Sequence, residues 1–280
     1  MTTITQPVTI APALRRPPSF AQSLRTLAGR RFALTARTPR ELLVPLLTPV
    51  LFALVIAPAL KTALHTSASY EAYVAIGTIG LLVPLNAFFL GLGVIVDRES
   101  GAQRELLAAP VPRGLLVLGN LVVALAITAL QIGTLIVFAL ARRIHFSAHG
   151  SRVLWFAAAA ALLTVAMYGA AETLAARIPR QEEYIARIPA IAIAPWFLAG
   201  SLFPITAMPI GLTWIARFLP LTHALALMRY GLEGDSTGLH AIWRMHDATE
   251  MAALSLLVVA FFALALTRTA IRVFTRAATS

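Results

Sequence analysis

The densest mixture of both charge signs in the chain is Asp97-Arg98-Glu99-Ser100-Gly101-Ala102-Gln103-Arg104-Glu105, running on through Leu106, Leu107, Ala108 and Ala109 to Pro110, Val111, Pro112 and Arg113. These residue types offer ion pairs and an apolar contact, with no group placed for proton transfer or nucleophilic attack. The stretch reads as a short amphipathic helix that stops at Pro110, with a composition suited to docking into a groove on a partner; a solvated loop is the alternative. His145 and His149 have the i, i+4 spacing of metal ligands, but no neighbouring carboxylate or cysteine completes a site. His240, His246, Asp247 and Glu250 form a second polar cluster with the same shortfall. Nowhere do a nucleophile, a base and an orienting acid come together, so no enzyme is expected. No G-x-x-x-x-G-K-[ST] occurs, and Lys61 is the sole lysine. The phosphate grip of a P-loop is therefore missing, and any ATP must be bound elsewhere.

The elements that position these residues follow from composition. Of the 280 residues, 59% are hydrophobic and only 12% charged, whereas soluble chains carry about a quarter charged residues. Apolar runs over 42–60, 74–96, 115–140, 153–176, 185–203 and 250–270 are each long enough to cross a hydrocarbon core, which takes about 20 helical residues. The expected fold is an all-α membrane protein with six transmembrane helices. Pro45, Pro49, Pro84, Pro189 and Pro195 lie within these runs and are tolerated where neighbouring helices satisfy the freed carbonyls. Residues 1–19 read as a disordered cytoplasmic tail, and 20–280 as a single transmembrane domain. From Phe20 to Arg40 the residues Phe20, Leu24, Leu27 and Leu34 share a face with Arg31, which fits an N-terminal interfacial helix whose arginines reach lipid phosphates.

A net charge of +11 would suggest nucleic acid in a soluble protein, but here the arginines sit in short segments between apolar runs, so the bilayer is the partner and nucleic acid is not. Most of the 23 basic residues fall on the side of the amino terminus, which predicts a multi-pass protein of the plasma membrane with both termini cytoplasmic. The hairpin from Arg142 to Arg152 runs against that rule.

Three polar residues stand inside the apolar runs, where an ionisable group costs about 2.5–3.5 kcal/mol at mid-span. Glu172 lies near the inner end of the fourth run; it either lines a substrate route, pairs with Arg177, or snorkels to the interface, and snorkelling is favoured. Asn86 and Gln131 lie deeper, where their amides can bond across helices. Substrate contact is the further reading for all three.

Between the fifth and sixth runs, Gly200-Ser201-Leu202-Phe203-Pro204, Met208-Pro209, Trp214, Leu219-Pro220-Leu221-Thr222-His223 and Arg229 form a stretch too apolar for a loop and too broken by proline to cross. Re-entrant or interfacial helices on the outer face, with Trp214 as a headgroup anchor, satisfy both facts; a seventh, badly broken span is the alternative.

Two of these segments resemble motifs of permease subunits in the type-2 ABC transporter family, among them drug and antibiotic (daunorubicin-type) exporters. The first is similar to the family's cytoplasmic loop in Glu99, Gly101, Glu105-Leu106-Leu107, Pro110 to Arg113 and Gly119. The second is similar to its outer motif in Gly200, Phe203, Pro204, Pro209, Trp214, Pro220 to Thr222 and Arg229, with His223 where the family often has tyrosine. The resemblance implies a membrane subunit that pairs with a second permease copy or paralogue and sits on two ABC ATPase subunits. It has no cofactor of its own, ATP and Mg being held by those partners. It also implies that Arg98, Glu99, Gly101, Arg104, Glu105, Leu106 and Leu107 form the coupling helix toward the ATPase, and that the cargo is a hydrophobic or amphipathic drug, antibiotic or lipid moved outward. The rival is a secondary carrier driven by an ion gradient, with Glu172 as its ion site; the Phe203-Pro204 to Pro209 element and the lack of an inverted repeat favour the permease.

Overall fold

The structure, a computed structural model, describes residues 19–37, 69–109, 111–144, 146–147 and 150–277, together with isolated positions between 43 and 62. Among these residues the chain is helical throughout and has no strand. The expected tail 1–19, apart from Ser19, lies outside the described residues, as do Lys61, Pro110, His145, His149 and most of the expected first span 42–60.

Helix α1 (Phe20–Arg37) opens with a reciprocal cap: the Ser19 amide donates to Gln22 Oε1 at 3.1 Å and the Gln22 amide to Ser19 Oγ at 3.3 Å, which pairs amides a helix start would otherwise leave open. Ser19 thus caps the helix that Phe20 begins. The helix packs by a polar face. Ser23, Arg31 and Thr35 are its buried residues, whereas Phe20 and Phe32 are exposed. Arg31 turns inward instead of reaching for lipid phosphates, for a reason given below.

Helix α2 (Ser69–Glu99) is 31 residues long and so spans about 46 Å at 1.5 Å per residue, longer than a hydrocarbon core of about 30 Å. It is the most deeply buried of the long helices and forms the axis of the bundle. Its glycines are points of close approach: a Cβ on Gly77 would overlap the Ser201 carbonyl, and one on Gly93 would overlap the Arg31 guanidinium. After Gly101, the short α3 (Ala102–Ala108) leads to α4 (Gly114–Ala141), and a hairpin then enters α5 (Val153–Ala175). Helix α5 packs on both α2 and the last helix, α11 (Ala248–Ala277). At Gly169 the α5 backbone lies directly on Leu266 and Thr267 of α11. The outer stripe of α11, Leu257, Phe261 and Leu264, is exposed, as the lipid-facing side of a bundle would be.

Among the described residues four helices, α2, α4, α5 and α11, are each long and apolar enough to cross a membrane. The expected fifth span, 185–203, falls mostly on α6 (Gln181–Ile188), a π-helical turn Pro189–Ile193 and α7 (Ala194–Leu198), which follow one another without a break. Pro189 and Pro195 sit at the start of the second and third pieces, where a missing N–H removes a rung of the helical ladder. Helices α8 (Ile210–Phe218) and α9 (Pro220–Glu233) follow, bent by 81° at Leu219, and α10 (Thr237–Trp243) closes the group.

Candidate functional site

The charged segment is held at both ends by arginine. The last carbonyls of a helix have no intrahelical donor, and at the end of α5 one side chain from α2 supplies donors: Arg98 Nη1 donates to Ala175 O at 3.2 Å, and Nη2 to Ile178 O at 2.5 Å and Pro179 O at 3.1 Å. At the other end Arg113 Nη1 donates to Thr275 O of α11 at 3.3 Å. Gly101, at φ 81°, makes the reversal between α2 and α3 without a Cβ penalty. Arg98 is therefore a clamp between helices and not part of a free docking face. Leu106 and Leu107, expected to offer the apolar contact to a partner, instead pack half-buried on the chain's own core. What the end of α2 and α3 present outward is Glu99, Arg104 and Glu105, all exposed.

Asp97, one residue before Arg98, anchors α1. Arg30 Nη2 donates to Asp97 Oδ1 at 3.2 Å, Arg31 Nη1 lies 3.9 Å from Oδ2, and Arg31 Nη2 donates to Leu90 O at 2.8 Å. The absent side chain at Gly93 leaves room for the guanidinium. A buried arginine needs such partners, which is why Arg31 turns to the protein. The sequence carried two signals for it, an arginine on an otherwise apolar helical face and a lone aspartate closing an apolar run.

The membrane-depth polar residues fall in two places. Glu172 is 1% exposed, which corrects the snorkelling expectation, and among the described residues no arginine is bonded to it. Tyr168 Oη donates to its Oε1 at 2.6 Å and Asn120 Nδ2 to the same atom at 3.4 Å, while Oε2 has no hydrogen-bond partner. Asn86 Nδ2 donates to Thr128 Oγ1 at 2.5 Å, joining α2 to α4, and Gln131 is buried about one turn further along α4. Beside Thr128, between α4 and α5, opens an almost wholly apolar cleft of about 450 Å³ whose polar side chains are Thr128 and Thr164. Asn86 and Gln131 thus lie near this cleft without lining it, and Glu172 lies elsewhere.

The outer motif folds around Arg229. Its side chain is 4% exposed, stacks over the Tyr73 ring at 3.4 Å and donates through Nη2 to Ser201 O at 3.2 Å and Tyr73 O at 3.4 Å. Gly200 takes φ 77°, and its carbonyl accepts from Tyr73 Oη at 2.7 Å. Trp196 Nε1 donates to Gly77 O at 2.7 Å, and Ser201 Oγ to Trp196 O at 2.7 Å. Arg229 therefore binds the Gly200 turn to the start of α2. Phe203, Pro204, Pro209 and Trp214 are exposed, whereas Thr222 and His223 are buried. His223 Nδ1 shares a hydrogen bond with Ser255 Oγ at 3.2 Å, a packing role in α9. Tyr73 escaped notice in the sequence, although Tyr70 and Tyr73 open an apolar run as interfacial aromatics do.

Among the described residues, no group of three or more His, Asp or Glu is placed to hold a metal ion. Asp247 instead caps α11, its Oδ1 accepting from the Thr249 amide at 2.7 Å.

Comparison with known proteins agrees with this geometry. Residues 22–232 match the family described as ABC-2 type transporter. The chain is also 26% identical over 214 residues to ycf38 of Porphyra purpurea, which carries the name of a transport permease; the match covers 75% of this chain and 73% of the relative.

Proposed function

Since the chain belongs to the ABC-2 type transporter family, we propose that it is the membrane subunit of an ATP-driven exporter. In this reading it moves a hydrophobic or amphipathic drug, antibiotic or lipid out of the cell, and two ABC ATPase subunits, holding ATP and Mg, drive a pair of permeases made of two copies or of this chain and a paralogue. The whole of 20–280 acts as one permease domain in the plasma membrane, with the tail 1–19 and both termini in the cytoplasm. Family membership itself implies an ABC ATPase partner and a multi-pass membrane protein.

The observation that carries the reading is the doubly clamped segment. A force on the exposed Glu99, Arg104 and Glu105 passes through Arg98 to the end of α5 and through Arg113 to α11, the two helices joined at Gly169. A push from an ATPase would thus move two helices at once, as a rigid-body switch between inward and outward access requires. The apolar cleft beside Thr128 and Thr164 suits a hydrophobic cargo. The test is transport and ATPase activity of the complex with Glu99→Lys and Glu105→Lys together. Loss of transport with normal membrane insertion is expected; unchanged transport defeats the proposal.

A second reading, a carrier driven by an ion gradient, draws on the unpartnered Oε2 of Glu172. It requires gradient-driven transport by the chain without any ATPase, abolished by Glu172→Gln.

A further inference from the structure

At the end of the bundle opposite the α2–α3 turn, between the Gly200 turn, α9 and α10, lies a cavity of about 500 Å³ whose wall includes Tyr73, Arg217, Thr222, Arg229, His240 and Arg244. That volume is in the range of small-molecule sites. No Asp or Glu lines it; Glu233 and Asp235, the carboxylates that act on Arg229, stand outside the wall. Three guanidinium groups around one cavity without a lining carboxylate repel one another and call for an anion.

A second observation is independent of charge. Arg217 Nε, Arg229 Nε and Thr222 Oγ1 are buried and have no hydrogen-bond partner, and the side chains of Arg229 and Thr222 are 4% and 3% exposed. Buried donors are almost always satisfied, so three unpaired polar atoms on residues of one cavity wall leave that wall short of acceptors. Arg244, the third guanidinium, comes from the left-handed residue, φ 56°, that ends α10.

We propose that this cavity binds a phosphate or diphosphate group, presented either by an anionic lipid headgroup or by a free phosphorylated molecule. A tetrahedral phosphate, anionic whether free or in a headgroup, can accept charge-assisted hydrogen bonds from several sides of the cavity at once, whereas a carboxylate offers its acceptors in one plane. The proposal does not depend on the transport reading, since it concerns equilibrium binding by the chain alone.

The test uses the full chain in lipid nanodiscs. In discs of phosphatidylcholine only, inorganic pyrophosphate is titrated by calorimetry; in discs containing phosphatidylglycerol, lipid retained through detergent exchange is counted by native mass spectrometry. The variants are Arg217→Gln with Arg244→Gln, which spare the packed Arg229. The control is Arg142→Gln with Arg143→Gln, exposed at the same end and outside the cavity. Binding of pyrophosphate that falls at least tenfold in the cavity variant and not in the control supports a soluble ligand. Retention of phosphatidylglycerol that falls in the same pattern supports a lipid headgroup. If wild type binds neither probe, or if both variants lose binding equally, the site is a water-filled vestibule and the proposal is overturned.

Discussion

Arg98, in the last turn of α2, donates to the carbonyl of Ile178, just beyond the end of α5, at 2.5 Å. The two residues are 80 positions apart, and their bond ties the charged turn to a helix it does not follow in sequence. Arg113 does the same for α11 through Thr275. Together they convert a surface loop into a lever on two helices, and the predictions below follow from that lever and from the packing that supports it.

Replacing Arg98 with Ala frees three carbonyls at the end of α5. Losing a charged donor to carbonyls that are only partly buried costs about 1 kcal/mol, so the midpoint of thermal unfolding in detergent should fall. The lever reading adds that ATP hydrolysis by the assembled complex persists while transport drops at least tenfold. Arg98→Lys, which reaches fewer acceptors, should fall between the two.

Gly77→Ala places a methyl group on the Ser201 backbone carbonyl, which cannot swing aside as a side chain end can. Overpacking of this kind costs about 1–3 kcal/mol, read as lower thermal stability. Gly133→Ala, where a Cβ meets nothing within 4 Å, should be neutral or slightly stabilising through helix propensity.

Glu172→Gln keeps an acceptor oxygen for Tyr168 and Asn120 and removes a buried acid, so stability within about 1 kcal/mol of wild type, or above it, is expected. Glu172→Ala leaves the Tyr168 hydroxyl and the Asn120 amide without that acceptor, at about 1–3 kcal/mol. Under the ATP-driven reading Glu172→Gln retains transport, and under the carrier reading it abolishes it, so one variant separates the two.

Arg229→Ala removes the stack on Tyr73 and both carbonyl contacts. The loss of a buried guanidinium that stacks on Tyr73 and donates to two carbonyls should cost about 3 kcal/mol or more and should loosen the Gly200 turn, measured as faster hydrogen exchange at Ser201 and Leu202. Arg229→Lys should recover part of it, as an ammonium can reach a carbonyl but stacks less well.

The long apolar helices and the two motif segments were legible because hydropathy and proline spacing act locally. The Tyr168–Glu172 pair was legible too, since i and i+4 share a helix face, yet charge alone pointed Glu172 toward solvent. What could not be read was which neighbour each polar group meets. Arg229 finds a carbonyl 156 residues away, and Arg31 one 59 residues away, and only the assembled bundle creates these pairings. The division of residues 181–198 into three pieces was half visible: Pro189 and Pro195 marked the joins, but their tolerance inside membrane helices made a single regular helix equally readable.

The lever has meaning only if the α2–α3 turn faces the compartment that holds ATP. Natural cysteine is absent, and Ser100 is exposed in that turn, so Ser100→Cys provides a single label site. With a membrane-impermeant maleimide, labelling should occur in inverted membranes or permeabilised cells and not in intact ones; efficient labelling of intact cells would place the turn outside and contradict its role as the contact for an ATPase.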